Sequence, residues 1–216
     1  MGISVNGVSG GSGLPTGSAD VPGLAGAGTS EEWNSATPGL TWTTAPAVVD
    51  SNTTRPGHLY VKHNANNVVT LGLKNWAPAG AFDARLKVAS LAADSAADDA
   101  DVGLCVFDDT VPTNGAMIIM SLLRASNIFR IASYTYAATI LTQRGSNWDL
   151  TAGKVYFRIV RDGSNNVSFF HSVDGWAWVM QATFNIVFTA AKIGIRFYSS
   201  VTSDKHLYCD WLRTSV

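Results

Sequence analysis

The sequence predicts an all-β chain: a mostly antiparallel β-sandwich preceded by an extended glycine-rich N-terminal arm. Three observations point there. Apolar and polar residues alternate at period two along several segments, aspartate–glycine pairs stand between such segments, and helical periodicity is nearly absent. With 216 residues, 46% hydrophobic and 14% charged, the chain can bury a substantial core and is too apolar to remain unfolded.

The arm comes first. Residues 1–30 hold Gly2, Gly7, Gly10, Gly11, Gly13, Gly17, Gly23, Gly26 and Gly28 among serines, alanines and two prolines. Such a stretch cannot bury enough apolar surface to offset its ordering entropy. It gains order only against something else, most simply another subunit, with packing back on its own domain as the alternative. Its candidate anchoring residues are Ile3, Val5, Val8, Leu14, Pro15, Val21, Pro22 and Leu24.

The sandwich occupies residues 31–216. Phe82, Ala84, Leu86 and Val88 alternate with Asp83, Arg85 and Lys87, the mark of a strand with one wet face. Ala89 to Ala100 is the best helical candidate and reads equally well as a loop. Val102–Phe107 and Ala116–Leu123 are more continuously apolar, as strands buried on both sides are. Val155–Arg161 is a strand closed by Asp162-Gly163. Val167–Ser172 runs into Asp174-Gly175, which predicts a tight hairpin because glycine tolerates positive φ. Ile193, Ile195 and Phe197 share one face, and Leu207, Cys209 and Trp211 another. In all, roughly ten to thirteen strands are expected, at sandwich spacing and in one domain.

Several function classes drop out on composition. A net charge of −1 with singly scattered Lys and Arg offers no nucleic-acid stripe and no polybasic membrane patch. No apolar stretch approaches the ~18 residues of a membrane span, so membrane insertion is not expected. The N-terminus lacks a signal-peptide layout, and Asn6 breaks the myristoylation pattern, so synthesis in the cytoplasm without a signal peptide is expected. Cys105 and Cys209 lie in apolar runs and read as small buried hydrophobes, with a disulfide between them as the alternative. No metal is expected: there is no CxxC pair, and Asp94, Asp98, Asp99 and Asp101 lack the spacing of a calcium loop. No cofactor is expected either.

Catalytic constellations are equally thin. Glycoside hydrolysis needs two carboxylates flanking the bond, and the only glutamates are Glu31 and Glu32 at the arm boundary. Asp108, Asp109, Asp162 and Asp174 read as turn residues. His171 reads as a structural histidine among aromatics, while His58, His63 and His206 read as loop or strand-edge residues, and no nucleophile elbow or phosphate loop occurs. Aromatic side chains are the best binding candidates. Trp176 and Trp178 are two apart, so on a strand they would face one side, as a stacking platform if that side is exposed, with Asp174 accepting from sugar hydroxyls, and as core if it faces inward. Tyr134, Tyr136 and Trp148 form a second candidate cluster.

The C-terminal half reads Val155-Tyr-Phe-Arg-Ile-Val-Arg-Asp-Gly, then Val167-Ser-Phe-Phe-His-Ser-Val-Asp-Gly and Trp178, then Lys192-Ile-Gly-Ile-Arg-Phe, and ends Tyr208-Cys-Asp-Trp-Leu-Arg. This resembles the concanavalin A-like lectin/glucanase superfamily, in particular jelly-roll domains at the C-terminus of some β-xylosidases and laminin G-like modules. Ala79-Gly-Ala-Phe-Asp-Ala-Arg-Leu-Lys-Val and Asp101-Val-Gly-Leu-Cys-Val-Phe fit the same pattern, so the resemblance spans about residues 32–216. It implies the sandwich fold and makes Trp178 a packing residue, but one fold hosts many functions.

The expectation for function is therefore a non-enzymatic structural or adhesion module of a large assembly. By analogy with sandwiches on phage particles, the assembly is a bacteriophage virion, as capsid decoration, tail or fibre component. Its partners would be other virion subunits, including copies of itself in a homo-oligomer, and host-surface glycans. The alternatives are a free carbohydrate-binding lectin-like module and, less favoured, a glycoside hydrolase.

Overall fold

A computed structural model describes residues 31–35, 38–64, 67–93, 99–123, 126, 128–138, 140–151, 153–200 and 203–215. The arm residues proposed as anchors, and Asp94 and Asp98, lie outside these. The described residues form fourteen strands and no helix. In chain order they are β1 (Thr41–Trp42), β2 (Val48–Ser51), β3 (Leu59–His63), β4 (Val68–Asn75), β5 (Phe82–Ala93), β6 (Ala100–Phe107) and β7 (Gly115–Leu123). They continue as β8 (Ile128–Ala137), β9 (Ile140–Leu150), β10 (Val155–Arg161), β11 (Asn166–Ser172), β12 (Val179–Asn185), β13 (Lys192–Ser199) and β14 (Lys205–Ser215).

Two seven-stranded sheets result, with orders β1-β4-β13-β6-β7-β8-β9 and β12-β11-β10-β5-β14-β3-β2. Every strand pairing is antiparallel. The expected sandwich is therefore present, with more strands than the sequence suggests.

The core lies between the sheets. The second sheet contributes Ala84, Leu86 and Val88 from β5, Val155, Phe157 and Ile159 from β10, and Val167 and Phe169 from β11. Facing them are Val102, Leu104 and Val106 from β6, Ala116, Ile118 and Met120 from β7, and Ile193, Ile195 and Phe197 from β13. All are alternate residues, as a sheet with one face in the core requires. The cysteines are free and buried on opposite sides of their sheets, Cys209 in the core and Cys105 on the outer face of the first sheet.

Three local expectations are corrected. Ala89–Ala93 is neither helix nor loop but the end of β5, paired with β14. Trp211 does not share a face with Leu207 and Cys209. The β14 register shifts between Tyr208 and Trp211, so Trp211 pairs with Lys87 on the outside while Leu212 takes the core position opposite Leu86. A bulge inserts one residue and reverses the alternation beyond it.

The third concerns the hairpin between β11 and β12. It exists, and Gly175 takes φ +83°, but its connection runs over residues 173–178, so Trp176 and Trp178 belong to the turn rather than a strand. Asp174 explains this. Its Oδ1 accepts the backbone N–H of Trp176 at 2.8 Å and of Ala177 at 2.9 Å, and the Ser172 hydroxyl at 2.8 Å. Those N–H groups are taken by a side chain, so the ladder restarts only at Val179.

Candidate ligand-binding surfaces

The two outer faces differ sharply. On the first sheet, β4, β6, β7 and β8 place Leu71, Leu73, Cys105, Phe107, Met117, Ile119 and Ala132 outwards, all buried against one another, with Tyr134 and Tyr136 half-buried beside them. Cross-strand register sets the rows: Asn75–Lys192–Phe107–Gly115–Tyr136–Leu141 is one, and Leu73–Gly194–Cys105–Met117–Tyr134–Gln143 the next. Gly115 leaves room between its neighbours, and the Phe107 and Tyr136 rings meet edge to face with centroids 6.1 Å apart. Burial raises the Tyr134 hydroxyl above its ordinary range, with Asp101 adding to the rise and Arg196 opposing it.

Trp148 is not part of this cluster. It pairs with Ile131, whose side chain is in the core, and so points the other way. Its indole reaches the His171 ring of the opposite sheet at 5.6 Å and is 43% exposed at the rim. His171 itself is a satisfied structural residue: its Nδ1 accepts from the Gln181 side-chain amide at 2.8 Å, and burial lowers its proton affinity.

A cleft of about 210 Å³ opens at the end of the first face, lined by Thr41, Leu73, Asn75, Thr110 and Lys192 among others. Pockets that enclose a small organic ligand run from about 300 to 1,000 Å³. The cleft falls below that range.

The outer face of the second sheet carries cations and aromatics. One row reads Met180–Phe170–Arg158–Arg85–Arg213 and the next Ser172–Tyr156–Lys87–Trp211. The wet face expected for β5 is therefore largely covered: Lys87 is only 6% exposed and pairs with Asp210. Trp178 folds down from the turn onto Tyr156 and Trp211, its ring 5.6 Å from the Arg85 guanidinium carbon and 5.8 Å from that of Arg158. Asp83 bridges the two arginines, at 2.9 Å to Arg85 and 2.7 Å to Arg158. Burial pushes its carboxyl up, and the hydrogen bonds and charges of Arg85 and Arg158 outweigh that, leaving it below the ordinary carboxylate range.

Trp176 takes the opposite course. It is 65% exposed, on a turn whose backbone is fixed by Asp174. Trp176 and Trp178 are thus not one platform: one is displayed and the other packs, as the resemblance implies for Trp178. Asp174 is occupied with its own turn, and the Trp176 N–H, the Ala177 N–H and the Ser172 hydroxyl together hold its carboxyl below the ordinary range.

Carboxylates are tied down elsewhere too. Glu32 takes two bonds from Arg213 at 2.7 and 3.0 Å, and Glu31 pairs with Lys74. On the outer face of the first sheet, Asp101 pairs with Arg196 at 3.0 Å and Asp149 with Arg130 at 2.8 Å. Among the described residues, no three of His, Cys, Asp and Glu converge as a metal site would require.

No family model matches the chain, and no curated protein matches it. Solved structures do. The CBM2 module of the evolved Dit of Lactobacillus casei BL23 phage J-1 superposes with a TM-score of 0.59 at 10% identity, over 87% of this chain and 95% of that one. The legume lectin-like domain of Entamoeba histolytica gives 0.54 at 10% identity, over 82% and 89%. Bacillus licheniformis β-glucanase gives 0.54 at 11% identity, over 89% and 99%. At such identities the likeness speaks of fold, and the same fold serves a binding module, a lectin-like domain and an enzyme. The chain has the concanavalin A-like lectin/glucanase jelly-roll fold.

Proposed function

We propose that the sandwich is a non-catalytic glycan-binding module, carried on a larger protein assembly through residues 1–30. The observation that carries this reading is the exposed Trp176 indole on a turn braced by Asp174 and by Trp178. A sugar ring stacks on a flat aromatic face, and a preset turn spares the entropy of ordering it on binding. The fold shared with the phage Dit module and the lectin-like domain supports the reading. The ion pairs that hold Asp83, Asp101 and Asp149 support a non-catalytic role, because an acid–base pair needs groups free to exchange protons.

A bacteriophage virion is the assembly we propose, on the composition of the arm and the likeness to the Dit module. The sugar test is a glycan array probed with the full chain and with Trp176→Ala. Saturable binding that Trp176→Ala abolishes supports the module, and an array without hits overturns it. Assembly has its own test: a chain lacking residues 1–30 that enters particles normally would refute anchoring by the arm.

A further inference from the structure

We propose that the glycan taken at the Trp176 turn is acidic, and that Arg158 and Lys154 recognise its anionic group. The inference rests on the reading of Trp176 as the stacking residue. On β10 and the residue just before it, Lys154, Tyr156 and Arg158 occupy alternate positions, so all three point outwards from the second sheet, about 7 Å apart. Register then sets Arg85 and Arg213 in the same row as Arg158.

Like charges directly opposite each other across strands destabilise a sheet, so three adjacent arginines need compensation. Carboxylates supply part of it. Glu32 serves Arg213, Asp210 serves Lys87, Asp174 is turned into its own turn, and Asp83 is shared by Arg85 and Arg158. Aromatic rings supply the rest: Arg158 lies 5.4 Å from the Phe170 ring centre as well as 5.8 Å from that of Trp178. Lys154 has no described carboxylate partner. Its ammonium rests 5.4 Å from the centre of Tyr156 and is exposed.

Two cations thus stand incompletely neutralised along one strand. Arg158 keeps 26% of its side chain accessible beside Trp178. Trp176 is two residues from Trp178, which at full extension spans about 7 Å of chain. Tyr156 pairs with Ser172, so Lys154 stands at the end of β10 nearest the turn while Arg158 flanks Trp178, and a carboxylate, sulfate or phosphate on a sugar stacked at Trp176 would meet these two side chains. The adjoining row, Val160–Asp83–Ser215, lines an open depression of about 380 Å³ that also holds Asp162, so the anionic group is taken on the Lys154 side of Arg158 rather than there.

The test prints neutral, carboxylated, sulfated and phosphorylated glycans on one array and probes it with the full chain at low and high salt. The expected hits are anionic and weaken with salt, and which anion wins separates the three chemistries. Lys154→Gln, on an exposed side chain, should weaken binding about tenfold, and the double variant with Arg158→Gln about a hundredfold. Thermal unfolding of each variant checks that the fold is kept, and Lys154→Gln alone suffices if the double variant unfolds. Neutral glycans bound as tightly as acidic ones, or indifference to Lys154→Gln, overturn the acidic assignment and leave the Trp176 reading standing. No binding to any glycan overturns both.

Discussion

The Arg158 guanidinium carbon lies 5.8 Å from the centre of the Trp178 indole, two residues along the chain from a tryptophan that faces water. Trp178 also covers Tyr156 and Trp211, both buried. The two tryptophans should therefore separate on mutation. Trp178→Ala removes ring contacts and cation–π attraction from a half-buried site and should cost about 2–3 kcal/mol in urea unfolding. Trp176→Ala should change stability by less than about 0.5 kcal/mol. Equal costs would mean that Trp176 packs as well.

Cys105 and Cys209 are both fully buried, and burial pushes both thiols well above the ordinary cysteine range. The thiolate is the reactive form, so neither should react with an alkylating reagent in the native state. Mass spectrometry should find no adduct at neutral pH and two adducts per chain after denaturation. Native labelling at Cys105 would mean that the outer face of the first sheet is open to solvent.

Much of the sandwich was legible because its rules are local. Alternation over Phe82–Val88 and Val155–Ile159 fixed which residues meet in the core, and continuous apolarity in β6 and β7 foretold burial on both faces. Alternation failed where one extra residue enters, at the β14 irregularity that turns Trp211 outwards. It failed again where Asp174 drew the N–H groups of Trp176 and Ala177 away from the ladder. An aspartate before glycine was the available signal for that turn, but not for its length. The arginine row was invisible for another reason. Arg85 and Arg158 are neighbours only because β5 pairs with β10 in one register, and no sequence spacing encodes that. The same holds for Tyr136 and Trp148, near in sequence yet on opposite sides of their sheet.

Two glycine positions offer a steric test with an internal control. A Cβ on Gly194 would overlap the Gly72 backbone carbonyl on the adjacent strand, and backbone cannot move aside as a flexible side chain can. Gly163 has nothing within 4 Å of that position, and its φ is not positive. Gly194→Ala should cost about 1–3 kcal/mol, as overpacking does, while Gly163→Ala should stay within about 0.5 kcal/mol. A neutral Gly194→Ala would show that β13 and β4 are further apart than described.

Acid should weaken the fold through two buried histidines. His63 shares a 2.7 Å hydrogen bond with Thr70, and burial, with the charge of Lys205 adding to it, lowers its proton affinity below the ordinary value of 6.5. His171 is lowered by burial as well. Both stay neutral in the folded chain at a pH where the unfolded chain binds protons. The unfolded state then holds more protons, so stability rises with pH across that window. The contribution is complete above about pH 6.5 and is lost as pH falls from there through the folded values. Each histidine contributes a slope of at most about 1.4 kcal/mol per pH unit. Urea unfolding between pH 7.5 and 5 should show the decline, and His63→Gln should make it shallower even if it lowers stability at every pH. An unchanged slope in His63→Gln would mean that the ring already takes up its proton in the folded state, which the Lys205 charge and its burial beside Phe197 oppose.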